Sequence, residues 1–460
     1  MNAAFDKLQQ DDRASLLHPF TDLAQYKQKG GLTFVGAEHI YLNKGDGNKV
    51  LDGMSGLWCT SLGYSQPKIV AAVTEQLNQL PYYNSFFNCT TDATIDMAAA
   101  LTDVLPDGFN HVFFTNSGSE ANDTNIRLVH RYFDLTDRPE KKIIIGRKNG
   151  YHGSTIAAGS LGGMDGMHKQ YRGLDYVHHV DQPYAFEAAL ETQSARDDTA
   201  FGIAVAQSLA DKIDELGADK VAAFIAEPVQ GAGGVIIPPD SYWPEVERIC
   251  RERDVLLISD EVICGFGRTG SWFGCQTFGF TPDLITFAKA VTNGFQPLGG
   301  VGVGDKVASV LTDRGGEFAH GFTYSGHPVA CAAGIATLDI FKETNLVEKV
   351  QQDTAVYWAE RWGSLADHPI VGEARTKGVL GAIELVRERP ANGRLAQDSK
   401  AAQFCRDSAI GQDLMVRQVG DAIISAPPLI VNHEEIDMLV ARLRTALDQT
   451  AAHYGINAQS

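Results

Sequence analysis

From about residue 110 onward, short apolar runs alternate with longer segments of helical periodicity. The runs are HVFFT (111–115), KIIIG (142–146), VAAFIAEP (221–228), DVLLISDEV (254–262), DLITFAK (283–289) and LGGVGVG (298–304). Runs this continuously apolar are typical of strands covered on both faces. Between the third and fourth runs, Trp243, Val246 and Ile249 fall on one face of a predicted helix. Strands that alternate with helices predict an α/β fold with a mostly parallel sheet.

The two ends of the chain differ from this central part. The N-terminal end has the pattern of short strands and turns, whereas GVLGAIELV (378–386) and AIISAPPLIV (422–431) predict a second, smaller sheet. A chain of 460 residues is too long for one simple core. We therefore expect a large α/β domain over residues 66–330 and a small α+β domain assembled from residues 1–65 and 331–460.

Charge and composition exclude several classes of function. The net charge is −18, so the chain offers no basic stripe for a phosphate backbone, and nucleic acid is not an expected partner. The seven cysteines include no CxxC pair, which argues against a disulfide framework and a structural zinc site, and no metal is expected. No apolar stretch is long enough to predict a membrane span. The N-terminus lacks the pattern of a secretory signal, so we expect a cytoplasmic protein.

The segment FFTNSGSEANDTNIRLVHRYF (113–133) joins a strand to a helix through a turn of small residues. Ser117 and Glu120 have the spacing of a capping box. Several backbone N–H groups and the positive end of the helix dipole meet at such a start, which suits a phosphate group. An ordinary capped helix has the same pattern. The segment contains neither GxGxxG nor GxxxxGK[ST], the fingerprints of dinucleotide and P-loop sites.

Two adjacent carboxylates, Asp260 and Glu261, end the run LLISDE. The carboxyl ends of strands form the edge at which open α/β sheets bind ligands. Adjacent residues of a strand face opposite ways, so one carboxylate can enter a site while the other turns away to cap or pair, with Arg268 as a candidate partner. A buried Asp260 is expected to need a cationic partner to remain ionised.

Lys289 lies one βα unit beyond Asp260, at the carboxyl end of a neighbouring strand. A lysine at a strand end more often keeps its charged head in water. In a desolvated pocket, however, its pKa falls and it becomes a nucleophile toward carbonyl groups. A phosphate cradle, a buried aspartate and a half-buried lysine on one edge suit a cofactor with a phosphate, a protonatable ring nitrogen and an aldehyde. Pyridoxal 5′-phosphate is such a cofactor.

Six segments, in their order and spacing, resemble the class III pyridoxal-phosphate-dependent aminotransferases: FFTNSGSEAND, NGYHGST, AFIAEPVQGAGG, LLISDEVICGFGRTG, ITFAKAVTNG and HGFTYSGHP. The resemblance covers nearly the whole chain and is closest to the ω-transaminases, which pass the amino group of amines or diamines to pyruvate. It implies the fold type I architecture of pyridoxal-phosphate-dependent transferases. It also implies a homodimer with shared active sites, and a dimer of dimers stays open.

The resemblance implies a role for many residues of these segments. Lys289 is implied to bind the cofactor aldehyde covalently and then to move a proton, and Asp260 to pair with the ring nitrogen. Val262, two residues on and on the same strand face, would pack beneath the ring. Tyr151 would stack on the ring's other face, with His152 beside it. The remaining cofactor contacts that it implies are Ser117, Gly118 and Ser119 in the phosphate cradle, Glu227, and Thr323 from the neighbouring subunit.

Two positions bear on the substrate. Arg417, in LMVRQVGD, resembles the carboxylate-binding arginine of the amine–pyruvate group. Family members that use ω-amino acids with 2-oxoglutarate often have a glutamate where this chain has Ala232, and that glutamate restrains the arginine. Without it, Arg417 is expected to move freely, which favours pyruvate. The resemblance implies Tyr151 as a further pocket residue, together with Phe20, Trp58, Tyr83 and Phe86, and for these last four core or interface packing is the alternative.

Other interpretations stay open at this point. A class III enzyme that uses 2-oxoglutarate, an aminomutase or a decarboxylase would keep the fold and the cofactor but change the reaction. A non-catalytic dimeric protein would keep the fold without a covalent bond to Lys289. A nicotinamide dehydrogenase has only the alternating pattern in its favour. The sequence also leaves the amino donor open among diamines, β-alanine, taurine and arylalkyl amines.

Overall fold

The computed structural model describes residues 3–192, 197–387 and 400–456. The strands in these ranges are β1 (Phe34–Glu38), β2 (Tyr41–Lys44), β3 (Lys49–Asp52), β4 (His111–Thr115), β5 (Ile143–Arg147), β6 (Val177–Val180), β7 (Val221–Ala226), β8 (Leu256–Asp260), β9 (Leu284–Phe287), β10 (Gly299–Val303), β11 (Val371–Lys377), β12 (Leu380–Leu385), β13 (Leu414–Met415), β14 (Arg417–Val419) and β15 (Ala422–Ser425).

The α-helices in the same ranges are α1 (Ala3–Ser15), α2 (Leu23–Lys29), α3 (Ser55–Trp58), α4 (Pro67–Gln79), α5 (Asp92–Thr102), α6 (Gly118–Leu135), α7 (Ile156–Leu161), α8 (Asp165–His168), α9 (Ala185–Thr192), α10 (Asp198–Leu216), α11 (Tyr242–Glu252), α12 (Gly274–Phe278), α13 (Asp305–Arg314), α14 (Pro328–Glu343), α15 (Leu346–Lys349), α16 (Ala355–Gly363), α17 (Ala401–Gly411) and α18 (His433–His453). Shorter 3-10 turns cover Lys289–Thr292 and Ser364–Asp367, and Val350–Thr354 form a π turn. None of the helices described is long and apolar enough to cross a membrane.

Seven strands form the central sheet, in the order β4-β10-β9-β8-β7-β5-β6. The strands from β9 to β6 pair in parallel. β10 is antiparallel to both of its neighbours, β9 and β4. Only residues 288–298 separate β9 from β10, and this connection is too short for the crossover that a parallel pair needs. The mostly parallel α/β sheet is confirmed, with β10 as its antiparallel strand.

The sequence pattern missed one strand of this sheet and located one helix well. β6 has the sequence VHHV and lies at the sheet edge beside β5. Two of its four residues are histidines, so it lacks the apolar run that marks the other strands. In α11 the side chains of Trp243, Val246 and Ile249 are fully buried, which confirms the predicted inner face.

Both chain ends form sheets outside the central one. β1, β2, β3 and β13 make one four-stranded sheet, and β11, β12, β15 and β14 make the other. The sequence predicted one small sheet, and this prediction is wrong, because the described residues form two. β13 pairs in parallel with β3, with Leu414 opposite Leu51, so the C-terminal part of the chain extends a sheet begun by the N-terminal part. The residue boundaries of the small and large domains stay a prediction.

An apolar cluster lies between the C-terminal sheet and the segments that follow β7 and β8. It includes Val235 after β7, Ile263 after β8, Leu380 of β12 and Ile424 of β15. Trp58 is buried in the same cluster. Burial of such side chains contributes roughly 1.5–3 kcal/mol each. This packing fixes the loops at the carboxyl edge of the central sheet, where the candidate site lies.

Candidate active site

Lys289 lies just beyond the carboxyl end of β9 and begins the 3-10 turn. Its φ is 52°, in the left-handed region that few non-glycine residues adopt, and such strain persists where the surrounding structure holds it. The side chain is half-buried. Burial lowers the pKa of its ammonium group, although Cys59, Asp260 and Glu227 act in the opposite direction. This shift increases the fraction of the neutral amine, which is the nucleophilic form, at any given pH.

Asp260, the last residue of β8, is almost fully buried and accepts three hydrogen bonds. His152 Nδ1 lies 2.7 Å and Asn122 Nδ2 lies 2.8 Å from its Oδ2 atom. The backbone N–H of Val262 donates to its Oδ1 atom at 3.2 Å. The resemblance placed His152 beside Tyr151 at the cofactor ring, whereas its imidazole contacts Asp260. In the described part of the chain, this histidine takes the place of the cationic partner expected for Asp260.

Glu261 faces away from Asp260, as the alternation along a strand predicts. Its carboxylate accepts hydrogen bonds from the first two backbone N–H groups of α12, each at 2.7 Å, and so caps that helix. The candidate pairing with Arg268 is wrong. The guanidinium of Arg268 donates instead to the carbonyl of Pro427 at 2.5 Å, because backbone donors already satisfy Glu261. Glu261 supports the fold and leaves the site to Asp260.

The turn before α6 has the features of an anion cradle. Ser117 caps the helix, since its Oγ atom accepts from the N–H of Glu120 at 3.2 Å. Glu120 does not complete the predicted capping box, because its carboxylate accepts from the N–H of Asn116, at 2.7 Å, one residue earlier. Within the described ranges, the backbone N–H groups of Gly118 and Ser119 have no acceptor. Unused donors at a helix start suit an anion.

Two close approaches shape this cradle. A Cβ atom at Gly118 would lie 2.9 Å from Cγ2 of Val262, so a glycine allows the helix start to reach the segment after β8. Gly153 has a φ of 139°, and a Cβ atom there would lie 2.7 Å from Cα of Ser119. Ser119 Oγ accepts from the N–H of Ser154 at 3.1 Å. The segments NSGSEAN and NGYHGST therefore meet at this edge of the sheet.

Val262 lies in the turn after β8 rather than on the strand. The strand ends at Asp260, so the expectation that both residues share a strand face is wrong. The turn still brings Val262 against the cradle at Gly118. Its position in the site therefore comes from the turn and not from strand alternation.

Glu227 organises the segment around Tyr151. Its buried carboxylate accepts from the N–H groups of Tyr151 and Gly231, both at 3.0 Å, and so ties two loops of the sheet edge together. Burial raises the pKa of Glu227, and the nearby His152 opposes this effect. The ring of Phe20 meets that of Tyr151 edge-on, with centroids 6.3 Å apart, and Phe20 is 75% exposed. Phe20 therefore covers Tyr151 from the solvent side.

Trp58 lies beside both cationic side chains of the site. Its ring centroid is 5.5 Å from Lys289 Nζ and 5.6 Å from Arg417 Cζ, which are cation–π distances. Arg417 is half-buried on β14, and burial lowers its pKa. Among the residues that the structure describes, the guanidinium of Arg417 has no hydrogen-bond or ion-pair partner. Its capacity to bind a carboxylate is therefore unused.

The turn that carries Ala232 packs against the strand of Arg417. A Cβ atom at Gly234, in this turn, would lie 3.9 Å from Cγ1 of Val419 on β14. The guanidinium of Arg375 on β11 holds the turn by donating to the carbonyl of Gly234 at 2.6 Å. Ala232 itself is buried and offers no carboxylate to Arg417.

Three predicted site residues, Tyr83, Phe86 and Thr323, lie in a separate place. The segment that carries Tyr83 and Phe86 contacts the loop of Thr323, where the Tyr82 hydroxyl donates to the Thr323 carbonyl at 2.7 Å. Tyr83 and Thr323 are exposed, and Phe86 is half-buried. Within the described chain, neither Tyr83, Phe86 nor Thr323 makes a hydrogen bond or a cation–π contact with Lys289. The structure of one chain therefore does not bring this group into the site.

Sequence reasoning missed a buried polar layer beneath Asp260. Asn122 and Asn125 of α6 and Thr286 of β9 are fully buried and hydrogen-bonded to one another. A signal was available, because both asparagines lie on the inner, apolar face of a predicted helix. A buried amide on such a face needs a specific partner.

The arrangement defines a chemical class. An anion cradle, a buried carboxylate and an amine with a lowered pKa meet at the carboxyl edge of an α/β sheet. This set can hold an anionic ligand and attack a carbonyl carbon with the amine. Such an arrangement suits an enzyme that uses a lysine as nucleophile.

The comparisons with known proteins give the family. The family model named Aminotransferase class-III matches residues 25–447. The chain therefore belongs to the class III aminotransferase family, and the resemblance drawn from the six segments is confirmed.

Similar proteins carry aminotransferase names. Putrescine–pyruvate aminotransferase of Pseudomonas aeruginosa is 47% identical over 452 residues, 98% of each chain. Gamma aminobutyrate transaminase 3, chloroplastic, of Solanum lycopersicum is 40% identical over 440 residues, 95% of this chain and 84% of the relative. The structure of a thermostable ω-transaminase six-fold mutant from Pseudomonas jessenii is 37% identical, with a TM-score of 0.94 over 97% of this chain and 99% of that one.

Proposed function

We propose that this chain passes the amino group of a primary amine, a diamine or an ω-amino acid to pyruvate, giving alanine, by a ping-pong mechanism with pyridoxal 5′-phosphate. The observation that carries the proposal is Arg417, a half-buried cation beside Lys289 and Trp58 that has no carboxylate partner in the described chain. The 47% identity to an enzyme named for putrescine and pyruvate supports it.

The residues present fit this cofactor. The unused N–H groups of Gly118 and Ser119 would hold its phosphate, and the buried carboxylate of Asp260 would pair with its ring nitrogen. Lys289, an amine of lowered pKa, would bind its aldehyde. Val262 would contact the ring, because it already packs against the cradle. When bound, pyridoxal 5′-phosphate supplies an aldehyde that captures the amine and a protonated ring that withdraws electrons.

Lys289 would also act as the acid–base group. Its neutral amine would take a proton from the substrate carbon that bears the amino group and, as an ammonium group, would deliver that proton to the carbon of the former cofactor aldehyde. A catalyst that does both works best with a pKa near the working pH. Burial lowers the pKa of Lys289 from its ordinary value and so moves it in this direction. Tyr151, Glu227 and His152 would hold the surrounding loops in place through the hydrogen bonds already described.

Arg417 and Ala232 together favour pyruvate over 2-oxoglutarate. Arg417 offers a guanidinium to one carboxylate, and Ala232 stands at the position where family members that use ω-amino acids with 2-oxoglutarate often have a restraining glutamate. Pyruvate has one carboxylate, so a single unrestrained arginine is enough for it. A solved ω-transaminase variant of TM-score 0.93, with a tryptophan, a phenylalanine and an arginine replaced, was engineered for the synthesis of bulky amines. It supports the assignment of Trp58, Phe86 and Arg417 to the substrate side.

We also infer a homodimer with shared active sites. Tyr83 and Phe87 are exposed aromatic side chains of one segment, and exposed apolar patches mark interaction sites. In such a dimer, Tyr83, Phe86 and Thr323 would complete the site of the neighbouring subunit. Light scattering would distinguish a monomer, a dimer and a dimer of dimers. A cytoplasmic location stays a prediction from the sequence.

An acceptor panel tests the proposed function. Purified enzyme with pyridoxal 5′-phosphate is given putrescine, β-alanine, taurine or an arylalkyl amine, each with pyruvate or with 2-oxoglutarate. We expect alanine to form from at least one donor about tenfold faster than glutamate, roughly 1.4 kcal/mol of preference. Equal or faster glutamate formation would overturn the assignment of the acceptor. Failure to form either amino acid from any donor would overturn the proposed function.

A further inference from the structure

A directional chain of hydrogen bonds runs through the buried polar layer and ends at Asp260. Asn125 Nδ2 donates to Thr286 Oγ1 at 2.7 Å, and Thr286 Oγ1 donates to Asn122 Oδ1 at 2.8 Å. Asn125 Nδ2 also donates to Asn122 Oδ1 directly, at 3.0 Å. Asn122 Nδ2 then donates to Asp260 Oδ2 at 2.8 Å and to the carbonyl of His152 at 2.7 Å.

The neighbours of Asn122 fix the orientation of its amide. The Asp260 carboxylate and the His152 carbonyl accept hydrogen bonds and have no proton to donate, so the atom that faces both must be the NH₂ group. The opposite atom, Oδ1, receives the Thr286 hydroxyl and the Asn125 amide. If the amide were rotated, its oxygen would face two acceptors, the Asp260 carboxylate and the His152 carbonyl. Its NH₂ group would face the two donors on the opposite side. The orientation is therefore locked from both ends.

The locked amide acts on the charge of Asp260. Donors that point at a carboxylate favour its ionised form. Asp260 has no lysine or arginine partner in the described ranges, and its donors are Asn122, His152 and the N–H of Val262. Of the two side-chain donors, Asn122 is the one that cannot change its protonation state. It also holds the backbone of His152 and so sets the position of the second donor.

We propose that Asn122 is a positioning residue that keeps Asp260 ionised and oriented toward the cofactor ring nitrogen, with Asn125 and Thr286 as the groups that hold its amide in register. The proposal rests on the proposed function, because it assigns Asp260 its role toward pyridoxal 5′-phosphate. It goes beyond that function in assigning an electrostatic task to a layer that touches neither cofactor nor substrate. A purely structural role would require only that the three buried side chains satisfy one another.

The test uses the holoenzyme and a readout other than turnover. Asn122→Asp keeps the size of the side chain but replaces the donor with a second carboxyl group, so Asp260 loses a donor and gains a like charge. Pyridoxal 5′-phosphate labelled with ¹⁵N in the ring reports the protonation of the ring nitrogen by NMR. Thr124→Val is the matched control, because Thr124 is a buried hydroxyl on the same helix that bonds to Glu120 and His320 instead.

We expect Asn122→Asp to move the ¹⁵N signal toward the unprotonated value and to weaken cofactor binding about tenfold or more, the scale of one charged hydrogen bond. Thr286→Val removes the hydrogen bond that orients Asn122 but keeps Asn122 itself. It should shift the ¹⁵N signal and the cofactor affinity in the same direction, by a smaller amount. Thr124→Val should leave both unchanged. If Asn122→Asp does not fold, Asn122→Ser and Thr286→Val give the same two readouts.

An unchanged ring signal in a folded Asn122 variant would overturn the proposal. So would an equal shift in Thr124→Val, since the effect would then be one of general packing. Failure of the proposed function has a different signature, because the unmutated protein would then show no protonated ring signal and no amino transfer. The two failures are therefore separable in one set of samples.

Discussion

The two sides of the candidate site differ in how their charged groups are held. On the cofactor side, Asp260 is almost fully buried and receives His152 and Asn122 within 2.8 Å. On the substrate side, Arg417 is half-buried and its contact is the ring of Trp58, 5.6 Å away. One charge is fixed by partners on several sides, and the other is left without a counter-ion in the described chain.

The difference matches the task of each side. A ligand that stays in place is served by dipoles fixed in advance. A ping-pong enzyme must take an amine and an oxo acid in turn at one place, so its carboxylate-binding cation has to engage and withdraw. A buried arginine is costly without a partner. Under the proposed function, the carboxylate of pyruvate would supply the partner that Arg417 lacks.

Removing Lys289 should have the largest effect, because the lysine serves both sides. Lys289→Ala is expected to lose covalent cofactor attachment and to lower kcat by at least about a thousandfold, within the range for loss of an acid–base group. Borohydride treatment followed by mass measurement detects the attached cofactor. Lys306→Ala, an exposed lysine near Asp283, is the matched control. Turnover close to that of the unmutated enzyme in Lys289→Ala would contradict the assignment.

Removing Arg417 should separate the two sides. Arg417→Ala is expected to raise the KM for pyruvate by about 10–100-fold, since charged hydrogen bonds contribute roughly 1.5–3 kcal/mol each. The half-reaction with an amine that has no carboxylate should change much less. Rapid mixing measures the half-reactions separately. Arg251→Ala, on the exposed face of α11, is the control. Equal losses in both half-reactions would show that Arg417 is not specific to the carboxylate.

The lowered pKa of Lys289 predicts the pH dependence of cofactor attachment. Only the neutral amine attacks an aldehyde, so attachment should accelerate as pH rises through the pKa of Lys289. Because burial lowers that pKa, the midpoint should fall below 10.5, the ordinary value for lysine. Absorbance during reconstitution of the apoenzyme gives the rate at each pH. A midpoint at or above 10.5 would contradict a desolvated amine.

Giving Arg417 a counter-ion should have the smallest effect. Ala232→Glu places a carboxylate on the turn that packs against β14 and is expected to raise the KM for pyruvate about two- to fivefold, the scale of a partly exposed ion pair. The amine half-reaction should stay the same. Ala232→Gln controls for side-chain size, and steady-state kinetics with pyruvate compare the two. A larger effect from glutamine than from glutamate would rule out an electrostatic cause.

Much of the fold and of the cofactor side was accessible from the sequence. Continuous apolar runs mark buried strands, and their carboxyl ends must share an edge. Asp260 and Lys289 could therefore be placed near each other from spacing alone. The antiparallel direction of β10 was not predicted, because an apolar run identifies a strand but does not say whether it pairs in parallel. β6 escaped it entirely, because its paired histidines interrupt the apolar pattern.

Contacts that depend on turns and side-chain rotation were not accessible. Glu120 has capping-box spacing, yet its carboxylate accepts from the backbone N–H of Asn116 at 2.7 Å instead. Arg268 was predicted to pair with a carboxylate, and the fold directs it to a carbonyl far along the chain. The orientation of Asn122 emerges only when β9 and α6 are packed together. Such details depend on tertiary contacts that local patterns do not encode.

Single-turnover stoichiometry tests the central claim of amino transfer most directly. Holoenzyme is mixed with an accepted amine in the absence of any oxo acid, and the aldehyde or ketone product is counted per active site. Amino transfer predicts one product molecule per site, after which product formation stops. Addition of pyruvate should then form one alanine per site and allow the reaction to resume. Carbon dioxide, a rearranged amine, or continued product formation without an oxo acid would contradict the account.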